Sequence, residues 1–125
     1  MKNTLATFVI IMTVGGLTVS VPLFAHHGNA SLDNDKTITV NGIVTDYLWS
    51  NPHVFLKVDA KDASGEVRHW LIEAQNPVAQ SNAGWSRATF KPGDEVSVDV
   101  TPTKNDLPIG RFRGRIVING KVFKP

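Results

Sequence analysis

From Lys36 onward, apolar and polar residues alternate in short runs separated by turn residues. The cleanest run is EVSVDV, where Val96, Val98 and Val100 fall on one side of an extended chain and Ser97 and Asp99 on the other. Successive strand side chains point to opposite faces, so this period of two predicts a half-buried strand. KTITVNGIVTDYLW (36–49), HVFLKVDA (53–60), EVRHWLIEA (66–74) and RFRGRIVI (111–118) read the same way, being rich in β-branched and aromatic residues. Asn51-Pro52, KDASG, KPGD and TPTKNDLPIG supply the breaks, and their Gly, Pro, Asn and Asp content is turn chemistry. Asn119-Gly120 predicts a closing hairpin.

One segment departs from this period. In NPVAQSNAGW, Asn76 predicts a helix cap, Pro77 suits the first turn, and Gly84 suits the stop. The order is three strands, a short helix, then two strands. Gly42 lies inside the first and longest strand, where a glycine marks a bend or bulge. A bent first strand can pair in both halves of a closed barrel. The expectation is an all-β domain over residues 36–125: a small five-stranded OB-like barrel with one short helix between strands 3 and 4. An immunoglobulin-like sandwich needs about seven strands.

The N-terminal pattern is different. Lys2 is the only charged residue before Asp33, and residues 4–25 form an apolar run interrupted by Gly15, Gly16 and Pro22. A basic start, an apolar middle and a small residue after a helix breaker predict a secretory signal peptide over residues 1–25, cleaved after Ala25. A retained anchor is the alternative, since about 20 apolar residues cross a bilayer. The glycines, and the lack of a basic cluster after the run, argue for cleavage. The mature chain then starts at His26 and keeps 100 of the 125 residues. Residues 26–35, HHGNASLDND, read as a flexible arm. A periplasmic or secreted location follows, without stable membrane insertion.

Composition narrows the chemistry. There is no cysteine, which rules out disulfides, thiolate nucleophiles and cysteine zinc sites. Losing Lys2 leaves 12 basic and 11 acidic residues, a net charge of about +1, too balanced for a protein that grips nucleic acid. No carboxylate pair, Ser-His-Asp order or phosphate loop is apparent, so no enzyme activity is expected. Copper redox chemistry at an N-terminal histidine is the one conceivable exception.

Three features carry candidate chemistry. His26 and His27 would stand at the new N-terminus, where an α-amine and imidazoles can both lose protons near neutral pH. All-nitrogen sites of this kind favour copper among the divalent first-row ions. His53 follows the stiff Ser50-Asn51-Pro52 turn, and is placed at a barrel rim where it could complete a site with the arm. An arm running from His27 to Lys36 could reach roughly 30 Å. The plain alternatives are a solvated tail and a histidine bonded to a neighbouring carbonyl. His69 is weaker: it lies mid-strand, on the face opposite Trp70 and Ile72, and reads as structural. The third feature is Arg111, Arg113 and Arg115 at a spacing of two, predicting one basic face that Trp49 and Trp85 could supplement for an anionic or saccharide ligand. Its plain alternative is a solvated face balanced by acids such as Asp99.

Together, His26-His27, Gly42, Trp49-Ser50-Asn51-Pro52-His53, Trp70, Glu73, Pro77, Gly84-Trp85 and Lys91-Pro92-Gly93-Asp94 resemble an uncharacterised family of small exported bacterial proteins, domain of unknown function 6152. The resemblance implies export and a small β-barrel, and places His26, His27 and His53 in the family pattern. Many relatives read His-His-Ser-Phe where this chain has Gly28-Asn29, which implies a looser arm here. The expected function is divalent metal binding, copper favoured, through His26, His27 and His53. The alternatives are a metal-free module using the Arg/Trp face, and an accessory subunit of an envelope complex.

Overall fold

The computed structural model describes residues 31–124. Its strands are β1 (Ile38–Leu48), β2 (Phe55–Lys61), β3 (Val67–Glu73), β4 (Glu95–Pro102), β5 (Ile109–Ile118) and β6 (Lys121–Val122), with α1 (Pro77–Asn82) between β3 and β4. The hydrogen-bonded order is β3-β2-β1-β4-β5-β6, and a further pairing of β3 with β5 closes the first five strands into a barrel. This is the expected OB-like arrangement, with β6 as a hairpin tail. Asn119 (φ 49°) and Gly120 (φ 78°) form its two-residue turn, and two positive φ values in a row are what a type I′ hairpin requires.

Residues 38–43 of β1 pair with β4, and residues 43–48 pair with β2. The strand therefore serves both halves of the barrel, changing partner beside Gly42. A Cβ on Gly42 would overlap the Asp59 carbonyl oxygen and lie 2.8 Å from Val58 Cγ1. The bend needs glycine because the neighbouring backbone occupies the space of a side chain.

Alternation fills the interior. Val40, Val44, Leu56, Val58, Trp70, Ile72, Val96, Val98, Val100 and Ile116 all point into one core, each fully buried side chain of this kind stabilising the fold by about 1.5–3 kcal/mol. The helix follows β3 and buries one residue, Gln80. Its cap is as expected, with the Asn76 side chain accepting from Ala79 N at 2.9 Å, and Gly84 follows at φ 78°. Trp85 then drops into the core at 7% exposure, edge-on to Phe90 and Phe112. The phenol of Tyr47 also packs edge-on to Phe90, and burial pushes its pKa up to about 12.

The barrel begins earlier than the alternation predicts. Leu32 is buried and bridges Thr103, while Asp33 N donates to Pro102 O and Lys104 N to Ser31 O. The last five residues of the expected flexible arm, 31–35, are thus tied to the end of β4. The physical reason is Leu32, the one large apolar side chain in an otherwise polar stretch. The expected signal peptide and His26-His27 lie outside the described residues. Among the described residues, no helix is long and apolar enough to cross a membrane.

Candidate functional site

Barrel closure creates the site. Phe55 pairs with Glu73, Glu73 with Arg111, and Arg111 with Thr101, so these four residues form one row across β2, β3, β5 and β4. His53 lies two residues before Phe55, ahead of β2, and its ring centroid is 6.5 Å from that of Phe55. Backbone bonds between Val54 and residues 74–75 hold that segment against the end of β3. The Asn51-Pro52 peptide before it is cis.

Within the row, Glu73 sits between two bases. One carboxylate oxygen meets His53 Nδ1, and the other lies 3.7 Å from Arg111 Nη2. The Glu73 side chain is 18% exposed and the two bases about one-third exposed. Together with Ala74, Gln75, Gln80 and Phe112 they line a cleft of about 290 Å³ between the closure seam and α1. A carboxylate on Nδ1 fixes the imidazole orientation and makes Nε2 the ring nitrogen that would meet a metal or substrate.

His53 is therefore at the rim, as expected, but its carboxylate partner was not foreseen. Glu73 is among the residues that carry the family resemblance, and that was its only signal. Among the described residues, no group of three or more His, Asp or Glu side chains is placed to hold a metal. To this rim the barrel contributes one imidazole, that of His53.

His69 behaves as the alternation implies. It points outward, 79% exposed, with Nδ1 2.6 Å from Asp59 Oδ1 across the β2–β3 ladder.

The expected basic face is broken up. Between the pairs Val98–Ile116 and Val100–Phe112, β5 carries three residues where β4 carries one, and Gly114 within this bulge has φ 113°. A bulge bends the strand and interrupts its alternation. Arg111 consequently faces Glu73, Arg113 donates to Asn34 O at 2.8 Å, and Arg115 is exposed with no partner among the described residues. Asp99 accepts from Thr39 Oγ1 at 2.7 Å rather than from an arginine. Trp85 is in the core, and Trp49 is partly buried edge-on to Tyr47. Three arginines in three settings, without Trp85, do not make one stacking surface.

At the opposite end of β4, Asp94 was read as a turn residue. It is one, and it is also a buried hub. At 5% exposure, its carboxylate accepts from Lys91 N and Lys91 Nζ, each at 2.9 Å, and from Asn119 Nδ2 at 3.0 Å. Burial works to raise its pKa, but these hydrogen bonds outweigh it and hold the carboxyl below its ordinary value.

A family model described as "Family of unknown function (DUF6152)" matches residues 16–111. No curated protein matches the chain. Among solved structures, the mitochondrial single-stranded DNA-binding protein Rim1 of S. cerevisiae (Form2) aligns with TM-score 0.49 at 9% identity, over 66% of this chain and 92% of that one. Its selenomethionine-labelled form aligns with TM-score 0.46 at 12% identity over the same shares.

Proposed function

The chain belongs to the DUF6152 family of unknown function, and we propose that it is an exported β-barrel that binds a divalent metal, copper favoured, at the rim marked by His53. The ligands in this reading are His53 Nε2 and, from the segment before Ser31, His26 and His27. Binding, rather than catalysis, is the assigned role.

The observation that carries the reading is the His53–Glu73 pair. Metal-ligating histidines almost always give their other ring nitrogen to a carboxylate, carbonyl or water, which orients the ring and raises its basicity. The tie of Leu32 to Thr103 supports it further. Leu32 is three strand spacings from Glu73, roughly 15 Å at ~4.8 Å each. His27 precedes Leu32 by five residues, which span roughly 17 Å when extended. A histidine from that segment is within reach of the rim.

The test is a Cu²⁺ titration of the processed protein beginning at His26, followed by electron paramagnetic resonance. One tight site with nitrogen couplings, weakened about 100-fold or more by His53→Ala, is the expected result. Protons compete for imidazole and amine, so affinity should fall as pH drops through about 6. Copper affinity indifferent to His53, or unchanged between pH 7.5 and 5, would overturn the reading.

A further inference from the structure

A larger concavity lies on the outside of the barrel and shares no lining residue with the His53 cleft. It is an open groove of about 560 Å³ where β1 bends at Gly42 and changes partner from β4 to β2. Ile43 and Val67 lie in it at 45% and 43% exposure, and Val117 adds apolar wall. Exposed apolar residues scattered singly need no explanation. Aliphatic side chains gathered in one groove of ligand size do.

Strand register sets the charges around that apolar floor. Ile43 pairs with Asp59 on β2 and with Glu95 on β4. Val44, Val58, Ala60 and Val96 are buried, so their neighbours Ile43, Asp59, Lys61 and Glu95 point outward. Two strand spacings separate Asp59 from Glu95, roughly 10 Å at ~4.8 Å each, with Ile43 between them. Lys61 stands two residues along β2 from Asp59, about 7 Å away. Among the described residues, the Lys61 ammonium and the Glu95 carboxylate join no ion pair or hydrogen bond. Asp59 gives Oδ1 to His69 Nδ1 at 2.6 Å, which leaves Oδ2 for a ligand. The order is thus a base and an acid side by side, an aliphatic stretch, then a second acid. A simple anion would meet both carboxylates, and a diamine would set an ammonium beside Lys61. An α-amino acid whose side chain ends in a cation matches all three charges.

We propose that this groove binds a basic α-amino acid of the lysine type. Its α-carboxylate is held by Lys61, its α-ammonium by Asp59 and its side-chain ammonium by Glu95. The flexible four-carbon stem crosses Ile43. The proposal does not rest on copper binding, because the groove and the His53 cleft are lined by different residues.

The experiment titrates the processed protein beginning at His26, without added metal, with L-lysine. The methyl signals of Ile43 and Val67 are followed by ¹H–¹³C NMR, and saturable shifts of both are expected. Norleucine lacks the side-chain ammonium, cadaverine the carboxylate and ε-aminocaproate the α-ammonium. Each should bind at least about three-fold more weakly than lysine, the size expected of an ion pair open to solvent. Glu95→Gln should weaken lysine by a similar factor and leave norleucine unchanged. Lys61→Gln should weaken lysine but strengthen cadaverine, because a repulsion is removed. Both side chains are exposed, so neither variant disturbs the core. Lysine binding no tighter than norleucine or cadaverine, or unchanged in Glu95→Gln, would overturn the proposal. So would methyl signals that stay unmoved, the result expected of a solvated face. Failure here leaves the copper titration untouched, and failure of copper binding leaves this outcome untouched.

Discussion

Asp94 and Glu73 are two largely buried carboxylates near opposite ends of the same barrel, and they are provided for in opposite ways. Asp94 receives three hydrogen bonds from donors fixed by the Lys91–Asp94 turn and the Asn119-Gly120 hairpin. Its oxygens point into closed structure, and its low pKa follows from those donors. Glu73 has an imidazole on one side, a guanidinium 3.7 Å away on the other, and a cleft in front. Burial and charge alone do not distinguish a structural acid from a functional one. The distinguishing property is whether the carboxylate lies in closed structure or borders an open cleft.

The comparison can be broken most directly at Asp94. Asp94→Ala removes the buried acceptor that Lys91 N, Lys91 Nζ and Asn119 Nδ2 share, in a turn whose other residues are exposed, and should cost about 1–2 kcal/mol of stability in urea unfolding. A folded-state pKa below the unfolded value contributes stability that is present above the ordinary carboxylate pKa of 3.8 and is lost as pH falls through the folded value. The variant should therefore also flatten the loss of stability below about pH 4. Copper affinity should not change, because Asp94 lies beside the start of β4 and the His53–Glu73 pair beside its end. A stability loss below about 0.5 kcal/mol would remove the structural half of the contrast.

Glu73→Gln should show the reverse profile. Its pairs are partly exposed, so the stability change should stay below about 1 kcal/mol. Copper affinity should drop about 10–100-fold, the usual consequence of removing a carboxylate behind a ligating histidine. Equal losses of stability in Glu73→Gln and Asp94→Ala would mean that both acids are structural.

The sequence made one of these acids half legible and hid the other's role. KPGD announces a turn, but the bond from Asn119 to Asp94 crosses 25 residues, and no local pattern sets it. The strands, the bend at Gly42, the Asn76 cap and the Asn119-Gly120 hairpin were readable because each depends on side-chain period or turn chemistry within a few residues. Barrel closure does not. The parallel register of Leu71 with Ile109 and Glu73 with Arg111 joins segments 38 residues apart, with α1 and β4 between them. Glu73 acquires its place between His53 and Arg111 only through that closure. The arginine spacing misled for a related reason: an alternation argument assumes an unbroken strand, and the bulge at Gly114 breaks it. Leu32 was a weak signal, one apolar residue in a polar stretch, yet its burial fixes where the N-terminal segment joins the barrel.

The smallest expected effect tests whether a histidine–carboxylate pair is sufficient by itself. His69 and Asp59 reproduce the chemistry of His53 and Glu73 with a 2.6 Å contact, but on the open face of the β2–β3 ladder. Solvent screens such a pair, which is worth about 0–1 kcal/mol. Its ring lies near the far end of β3 from the cleft, away from the tie at Leu32. His69→Ala should change urea stability by less than about 0.5 kcal/mol and copper affinity by less than about two-fold. A larger fall in copper affinity would mean that any carboxylate-backed imidazole on this barrel recruits the metal. The cleft, the row formed by closure and the nearby N-terminal tie would then have no part in selecting the site. A null result would leave position as the deciding variable, because the two pairs are otherwise the same in kind.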